Sequence, residues 1–291
     1  MSLTLSIIIP LYNKESCIRK TLDSVLSQSY DNYEIVVVDD GSTDNSMNVV
    51  KSISDNRIRL FRKGNGGPAS ARNYGVKMAR GKWVLFLDAD DVLVENMLDV
   101  VVKNIKEKKF ADVFSYNQYI ERDGKRYLRK QNYANGYILS PFLSYYIDDI
   151  YPGPGRTVIK RDIMLKVPFR EDLRRHEDTE NTFRLMRKYR FYACSQPLFS
   201  YNQDTLSASS KRDNCREDFV CMMEPKGKSF LEQMAMFKLY CRETKVLYAD
   251  IADQIYGDAF RKNRYGRGDK YLLLYKKYKS ITKVIINRLF N

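Results

Sequence analysis

The sequence predicts an α/β protein with a mostly parallel β-sheet, and two features of the 291-residue chain support this fold class. Short apolar runs alternate with segments of helical periodicity in the first half, which is typical of strand–helix–strand units. Several of these apolar runs also end abruptly in carboxylates. Because ligands of open α/β sheets bind beyond the carboxyl ends of the strands, we expect one rim of the sheet to carry the functional site.

Strands and helices are predicted in regular alternation. Apolar and β-branched residues dominate the predicted strands, which are 4–9, 33–39, 57–61 and 83–87. Apolar residues recur at helical spacing in the predicted helices, which are 15–28, 44–53, 68–80 and 95–107. Connections between parallel strands are right-handed, so these units are expected to form one sheet with helices on its faces.

The first two strands lead into polar loops. The first strand is expected to stop at Pro10, which lacks the N–H that a central strand donates. Asn13 is a candidate N-cap of the next helix, and Glu15 would lie in its first turn, where negative charge suits the helix dipole. The second strand closes on Asp39, and residues 41–44 form a pattern typical of a turn and a helix start.

Residues 83–91 are the most informative segment of the chain. An apolar run, typical of a strand buried on both faces, ends in Asp88, Asp90 and Asp91. Carboxylates this close repel one another unless positive charge lies among them, and a divalent cation bound through oxygen is the obvious partner. The alternative is an acidic turn that caps the next helix, and this segment alone does not decide between the two.

A glycine-rich loop follows the third strand. Residues 63–68 read KGNGGP, where the glycines permit close backbone approach and Pro68 suits the first turn of a helix. Arg72 and Asn73 lie one turn further along that helix. The loop does not match the Walker pattern, so by itself it is a weak indication of phosphate binding.

Four segments in the first half form an ordered set: SIIIPLYNKE, EIVVVDDGSTDNS, GNGGPASARN and FLDADD. Together they resemble the nucleotide-sugar-binding half of a family 2 glycosyltransferase with the GT-A fold. The resemblance covers roughly residues 4–205. It implies a Rossmann-like α/β/α sandwich and the inverting transfer of a sugar from a nucleotide diphosphate.

The resemblance gives a role to residues of the first two segments. Pro10, Tyr12 and Glu15 would border the base and ribose of the nucleotide. Asp39 would accept a hydrogen bond from the imino N–H of a uracil-like base. For Tyr12 and Glu15 the alternative is a purely structural role, as a packed aromatic ring and a charge at a helix start.

The other two segments complete the implied donor site. Arg72 would lie near the base or the diphosphate, and Asp88 would hold the ribose. Asp90 would bind Mn²⁺ or Mg²⁺, to which the diphosphate supplies further oxygens. Gly67 and Ala89 belong to the same nucleotide-binding set.

A second acidic group, Glu177 and Asp178, opens a predicted helix. The resemblance implies that this pair supplies the catalytic base and that Asp178 matches its second position. Glu180 is also close, and all three could instead be charges that suit the N-terminus of a helix. His176 is the chain's only histidine, which excludes a metal cluster with several histidine ligands.

The acceptor half carries weaker signals. A hairpin is expected around residues 123–124, and residues 207–211 resemble a flexible segment that family members fold over the diphosphate. Arg156 and Lys160 could meet charge on the acceptor, although solvation at the surface is the favoured interpretation. Aromatic faces stack on sugar rings, but with 22 tyrosines in the chain no single one is assigned to the acceptor.

Composition and length suggest how the chain is divided. We expect a GT-A domain at 1–215, with a nucleotide-binding half at 1–110 and an acceptor half at 111–215, followed by a helical region at 216–291. No apolar run approaches the roughly 18 residues of a membrane span, and the N-terminus predicts a strand and not a signal peptide. Five scattered cysteines without CxxC spacing favour a reduced, cytoplasmic setting.

The last 31 residues, 261–291, hold ten Lys and Arg against Asp269 alone, a net charge of +9 out of the chain's +14. Apolar and tyrosine residues are interleaved with these charges at helical spacing, which favours contact with an anionic membrane surface. Nucleic acid is the competing polyanion, but no motif for binding it is present, and we expect none as partner. A helix packed on its own protein is the alternative.

The sequence therefore predicts a cytoplasmic, metal-dependent sugar transferase, with a UDP-sugar as donor and a saccharide or lipid-linked saccharide as acceptor. It is expected to build a bacterial-type surface glycan at the inner membrane face. A sugar-nucleotide pyrophosphorylase would share the fold but would need a basic glycine-rich loop straight after the first strand. The second alternative is a non-catalytic or membrane-tethering nucleotide-sugar-binding protein. Only a measurement of turnover would distinguish it from an enzyme.

Overall fold

A computed structural model describes residues 4–129, 135–148, 153–204, 219 and 228–247. The chain divides into two compact units, Met1–Phe219 and Val220–Asn291. Within the described part, no helix combines the length and the apolar character needed to cross a membrane. The loop at 207–211 and the basic tail at 261–291, for which predictions are made above, lie outside the described residues.

Ten strands form one sheet within the described part of the first unit. They are β1 (Leu5–Leu11), β2 (Tyr33–Asp39), β3 (Ile58–Arg62), β4 (Trp83–Phe86), β5 (Val92–Leu93), β6 (Val113–Arg122), β7 (Lys125–Leu128), β8 (Gly136–Ile138), β9 (Thr157–Lys160) and β10 (Phe191–Asn202).

The described helices of the first unit lie between these strands. They are α1 (Ile18–Leu26), α2 (Ser46–Lys51), α3 (Gly67–Met78), α4 (Met97–Glu107), α5 (Pro141–Asp148), α6 (Arg161–Lys166) and α7 (Glu177–Met186). In the second unit the described helix is α8 (Phe230–Leu247).

The strand order along the sheet is β3-β2-β1-β4-β9-β6-β10-β5, with β7 added beside β6 and β8 beside β10. β3, β2, β1 and β4 run parallel to one another. β9 is antiparallel to both β4 and β6, so β6 and its parallel neighbour β10 again point the same way as β4. The central sheet is therefore mostly parallel, as predicted.

Helices cover both faces of the sheet. Ile9 of β1 belongs to a core cluster that also contains Leu22 of α1 and Val101 of α4. Ile8 faces α3 instead, where a Cβ built on Gly75 would lie 2.3 Å from the Ile8 Cγ2 atom. Alternate residues of β1 thus pack against helices on opposite faces, which explains why the strand is apolar on both faces apart from Ser6. This is the predicted α/β/α sandwich.

The four predicted strands and four predicted helices of the first half are all present, but Pro10 does not end the first strand. Pro10 lies within β1 and is in register with Val38 of β2. The ladder from β1 to β4 ends at Ile8, and the alternation of a parallel strand turns the Pro10 nitrogen toward that side. The missing N–H therefore costs the sheet no hydrogen bond.

The prediction of Asn13 as an N-cap is wrong. The α1 helix begins at Ile18, and Asn13 lies well before it in a left-handed conformation with φ 51°. The Asn13 side chain accepts the backbone N–H of Thr43 across the next loop, at 2.9 Å. Glu15 likewise precedes the helix. The predicted hairpin at 123–124 is confirmed, because Arg122 pairs with Lys125 across that two-residue turn.

Candidate functional site

The loops after β1 and β2 are bonded to each other at the carboxyl rim of the sheet. The Lys14 backbone N–H donates to Ser46 Oγ at 2.7 Å, and the Asn45 N–H donates to Glu15 Oε2 at 2.8 Å. Tyr12 stands at this rim with 47% of its surface exposed. Tyr12 thus offers an open aromatic face to a ligand, whereas Glu15 links the two loops.

Asp39 lies at the end of β2 and is fully buried. Its Oδ1 atom accepts the Ser42 backbone N–H at 3.2 Å. Its Oδ2 atom lies 3.3 Å from Arg62 Nε, but it forms no hydrogen bond with any described residue. A buried carboxylate oxygen without a hydrogen bond is costly, so this atom has strong capacity to accept an N–H from a ligand.

The next residue, Asp40, organises the glycine-rich loop. Its carboxylate accepts the backbone N–H of Gly66 at 3.1 Å and that of Gly67 at 2.7 Å. The Lys63 ammonium donates to the same carboxylate at 2.6 Å. Sequence reasoning missed this role, although the Asp doublet at the end of β2 was a signal for it. Gly67 is therefore positioned at the rim with its N–H already bonded.

The predicted acidic cluster follows β4. Asp91 is buried and accepts the Asn202 backbone N–H at 3.0 Å. Burial, and then the neighbouring charge of Asp88, raise the pKa of Asp91 well above its usual range. Ala89 is also buried, and its carbonyl accepts the Thr21 hydroxyl at 2.9 Å. Asp91 and Ala89 thus fix the segment after β4 through buried hydrogen bonds.

Asp90 is the predicted metal ligand, and its Oδ2 atom lies 2.6 Å from the Lys14 ammonium. The described residues contain no ready-made group of three His, Cys, Asp or Glu side chains for a metal ion. Mg²⁺, however, is usually bound through one or two carboxylates plus substrate phosphates and water. Asp90 offers the carboxylate oxygens that such a site needs, one of which is paired with the Lys14 ammonium.

Arg72 connects the acidic cluster to the second half of the site. This buried guanidinium donates to Asp88 Oδ1 and to Glu177 Oε1, each at 2.8 Å. Its Cζ atom also lies 5.6 Å from the centre of the Phe169 ring. Burial opposes the charge of Arg72, but Asp88 and Glu177 outweigh it and raise the Arg72 pKa. One arginine therefore joins the predicted ribose-binding and base residues.

Glu177 and Asp178 begin α7 as predicted, and they differ in environment. Burial raises the pKa of Glu177 against the opposing charge of Arg72, to which Glu177 is bonded. Asp178 Oδ1 accepts the Thr179 N–H at 2.6 Å. Asp178 Oδ2 faces Gly153, where an added Cβ would lie 3.6 Å away. Asp178 therefore directs one oxygen toward the loop at 153, whereas Glu177 is committed to Arg72.

Other polar residues of this half have structural partners. The Glu180 carboxylate accepts Arg184 Nε at 2.8 Å within α7. Lys160 pairs with Asp112 Oδ1 at 2.7 Å. Arg156 is buried, with 4% of its surface exposed, so its interpretation as a solvated surface residue is wrong. Asp178 is thus the carboxylate of this helix start with the best access to an incoming group.

Sequence reasoning also missed Tyr201, near the end of β10. Burial raises the pKa of its phenol to about 12, and the charges of Asp91, Asp88 and Asp90 contribute further. The neighbouring Asn202 donates its backbone N–H to Asp91. β10 therefore brings a half-buried phenol to the acidic cluster, a placement that depends on sheet order and not on any local motif.

Parts of this chain are similar in sequence to known proteins. The model of Glycosyl transferase family 2 matches residues 6–171, which is more than half of the chain. Glycosyltransferase GlyG of Streptococcus pneumoniae is 39% identical over 132 residues, which cover 44% of this chain and 44% of that protein. This chain spans less than half the length of the curated relatives it matches.

Solved structures share the fold. S. aureus TarS 1–349, in complex with UDP-GlcNAc, has a TM-score of 0.71 and 21% identity, covering 86% of this chain and 77% of that chain. The mannosyltransferase PcManGT from Pyrobaculum calidifontis, in complex with GDP-Man and Mn²⁺, has a TM-score of 0.50 and 19% identity, covering 69% and 57%. At these identities the likeness shows a common fold.

The family match runs from β1 through α6 and includes Asp39 at the end of β2, Arg72 in α3 and Asp90 after β4. These are residues that the structure gathers at the carboxyl rim of the sheet. Match, fold and rim agree, and the chain belongs to glycosyl transferase family 2.

Proposed function

We propose that the protein transfers a sugar from a UDP-sugar to a hydroxyl group of a saccharide or lipid-linked saccharide, with inversion at the anomeric carbon. The observation that carries this proposal is the double ion pair of Arg72 with Asp88 and Glu177. It joins the predicted donor rim to the predicted base pair, so both belong to one site. A sugar-nucleotide pyrophosphorylase would have no evident use for that connection, and the family match does not favour it.

The choice of a uridine donor is supported by Asp39. Its buried Oδ2 atom has no hydrogen bond with a described residue, and the imino N–H of uracil is a donor that would satisfy it. TarS, which shares the fold, was solved with UDP-GlcNAc. Tyr12 would then cover the base or ribose with its exposed ring.

Asp178 is the proposed general base. As the acceptor hydroxyl oxygen attacks the anomeric carbon, its proton passes to Asp178 Oδ2 and the bond from the anomeric carbon to the diphosphate breaks. Placing the base beside the reacting hydroxyl typically accelerates such a step about 10²–10⁴-fold. Glu177, held by Arg72, fixes the helix start that carries Asp178. When bound at Asp90, Mn²⁺ or Mg²⁺ supplies positive charge beside the leaving diphosphate.

The test is a panel of nucleotide sugars measured with the intact chain, with and without Mn²⁺. We expect UDP-sugars to bind more tightly than GDP-sugars and to be hydrolysed slowly when no acceptor is present. Transfer to a mixture of oligosaccharides then separates an enzyme from a non-catalytic binding protein. Binding of no nucleotide sugar, or binding without any turnover, contradicts the proposal.

We also propose that residues 261–291 bring the enzyme to an anionic membrane surface, where it would build a bacterial surface glycan on a lipid-linked acceptor. The support is their net charge of +9, interleaved with apolar and tyrosine residues. Each basic residue near such a surface contributes about 1 kcal/mol. Deletion of 261–291 should reduce sedimentation with anionic vesicles at low salt, and equal sedimentation of both proteins contradicts the idea.

A further inference from the structure

Lys14 places an ammonium group on the carboxylate assigned to the metal. Its Nζ atom lies 2.6 Å from Asp90 Oδ2, and the two side chains are 21% and 12% exposed. The residues are 76 positions apart in sequence, so the pair joins the loop after β1 to the loop after β4. The protein thus provides its own cation at Asp90.

The backbone around Lys14 is fixed while its side chain is long and flexible. The Lys14 N–H donates to Ser46 Oγ at 2.7 Å, and the adjacent Asn13 N–H donates to Ser42 Oγ at 3.1 Å. The ammonium can therefore leave Asp90 by rotation of its side chain, without movement of the loop. After this rotation the ammonium would still lie close to the rim.

A divalent cation on this carboxylate and the Lys14 ammonium would repel each other. Mg²⁺ binds carboxylate oxygen at about 2.0–2.1 Å and the ammonium lies 2.6 Å from Asp90 Oδ2, so the two positive charges would lie within roughly 5 Å of each other. A diphosphate at the rim changes this balance. Its oxygens would accept the displaced ammonium, whose three N–H donors make lysine a common phosphate-binding residue.

We propose that Lys14 is a positioning residue that makes cation binding depend on the nucleotide. Lys14 holds Asp90 while the donor is absent and transfers to the diphosphate when the donor enters, which leaves Asp90 for Mn²⁺ or Mg²⁺. This inference rests on the proposed metal-dependent donor site. It adds that metal and nucleotide bind cooperatively and that Lys14 supplies a defined part of the cooperativity.

The experiment measures binding and not turnover. Isothermal titration calorimetry of the full chain with MnCl₂ is carried out alone and with saturating UDP, for wild type, Lys14→Met and Lys14→Arg. Lys160→Met is the matched control, because Lys160 forms a similar pair with Asp112 at 2.7 Å away from the rim loops. A thermal melt of each variant checks folding.

We expect Lys14→Met to bind Mn²⁺ alone about tenfold more tightly than wild type, because the competing charge is gone. In wild type, UDP is expected to increase the affinity for Mn²⁺, and in Lys14→Met this increase should be smaller by about fivefold or more. Because coupling is reciprocal, the increase in UDP affinity caused by Mn²⁺ should become smaller by the same factor. Lys14→Arg keeps the charge and should resemble wild type, as should Lys160→Met.

Two results overturn the inference in different ways. If wild type binds Mn²⁺ with UDP but Lys14→Met has wild-type affinity and coupling, Lys14 is only a structural partner of Asp90 and the metal-dependent donor site stands. If wild type binds no Mn²⁺ with or without UDP, while UDP itself binds, the metal dependence of the proposed function fails and the inference fails with it.

Discussion

The donor rim and the base helix are built in different ways. The loops after β1 and β2 are joined by hydrogen bonds between residues about 30 positions apart, such as Asn45 with Glu15. Glu177, at the start of α7, reaches the donor side through Arg72, which lies 105 positions earlier in the chain. The loops after β1 and β2 are thus joined by contacts between neighbouring motifs, whereas the base helix is linked to the donor side by a long-range buried ion pair. Changes at the base helix should therefore separate chemistry from stability more cleanly than changes at Arg72.

The largest effect is expected from Asp178→Asn. The amide keeps the size and much of the hydrogen bonding of Asp178 but cannot take the acceptor proton. Turnover should fall about 10²-fold or more, with donor affinity and melting temperature near wild type. The assay is sugar transfer to an acceptor mixture at saturating donor, with UDP affinity measured separately. Glu180→Gln is the control, because Glu180 is paired with Arg184. Near-normal transfer by Asp178→Asn would assign the base to another residue.

The next effect concerns Arg72, which links the donor rim to the base helix. Arg72→Met leaves the buried Glu177 without its counter-ion, so we expect the free energy of unfolding to fall by about 3 kcal/mol. Urea unfolding followed by circular dichroism measures this change. Arg170→Met is the control, because Arg170 pairs with Asp172 and both side chains are exposed. A loss below about 1 kcal/mol at Arg72 would show that the base helix does not depend on this contact.

Two glycines of the loop before β9 give a smaller, sharper contrast. Gly155 has φ +81°, and an added Cβ would lie 2.2 Å from the Phe199 ring, so Gly155→Ala should cost about 2 kcal/mol of stability. At Gly153 an added Cβ would make only ordinary contacts, 3.6 Å from Asp178 Oδ2. Gly153→Ala should keep stability but raise the KM for the acceptor. Equal acceptor KM values for wild type and Gly153→Ala would place the acceptor elsewhere.

The last effect is a pH dependence at the acidic cluster. The Tyr201 phenol loses its proton near pH 10 in the unfolded chain and at about pH 12 in the folded one, so its pKa is raised by folding. Its contribution to stability is complete below pH 10 and is lost as the pH rises toward 12. Tyr201→Phe should therefore lose less stability than wild type between these pH values in urea titrations. Tyr127→Phe, at an exposed tyrosine, is the control, and parallel curves for Tyr201→Phe and wild type would contradict the prediction.

The sequence predicts the strands and the charged residues at their carboxyl ends well because each of these signals is local. The apolar run of β4 followed by Asp88 and Asp90 combines a strand and a charged end within a few residues. The prediction that β1 ends at Pro10 is wrong because the strand can include a proline where no neighbouring strand needs its N–H. Whether that is so depends on where the pairing with β4 ends, which is a property of strand pairing. The burial of Arg156 and the Lys14–Asp90 pair depend on distant segments of the chain meeting, and no local pattern contains that information.

The carboxylate of Asp40 has a consequence for where phosphate can settle. The N-terminus of a helix preceded by glycines ordinarily attracts anions through its unpaired N–H groups and its dipole. At the start of α3 this attraction is already satisfied, since Asp40 accepts the N–H groups of Gly66 and Gly67 and also pairs with Lys63. Two N–H groups at this helix start are therefore already bonded to a carboxylate of the protein. Under the proposed function, the diphosphate would take its positive partners elsewhere, from Lys14 and from the cation proposed for Asp90.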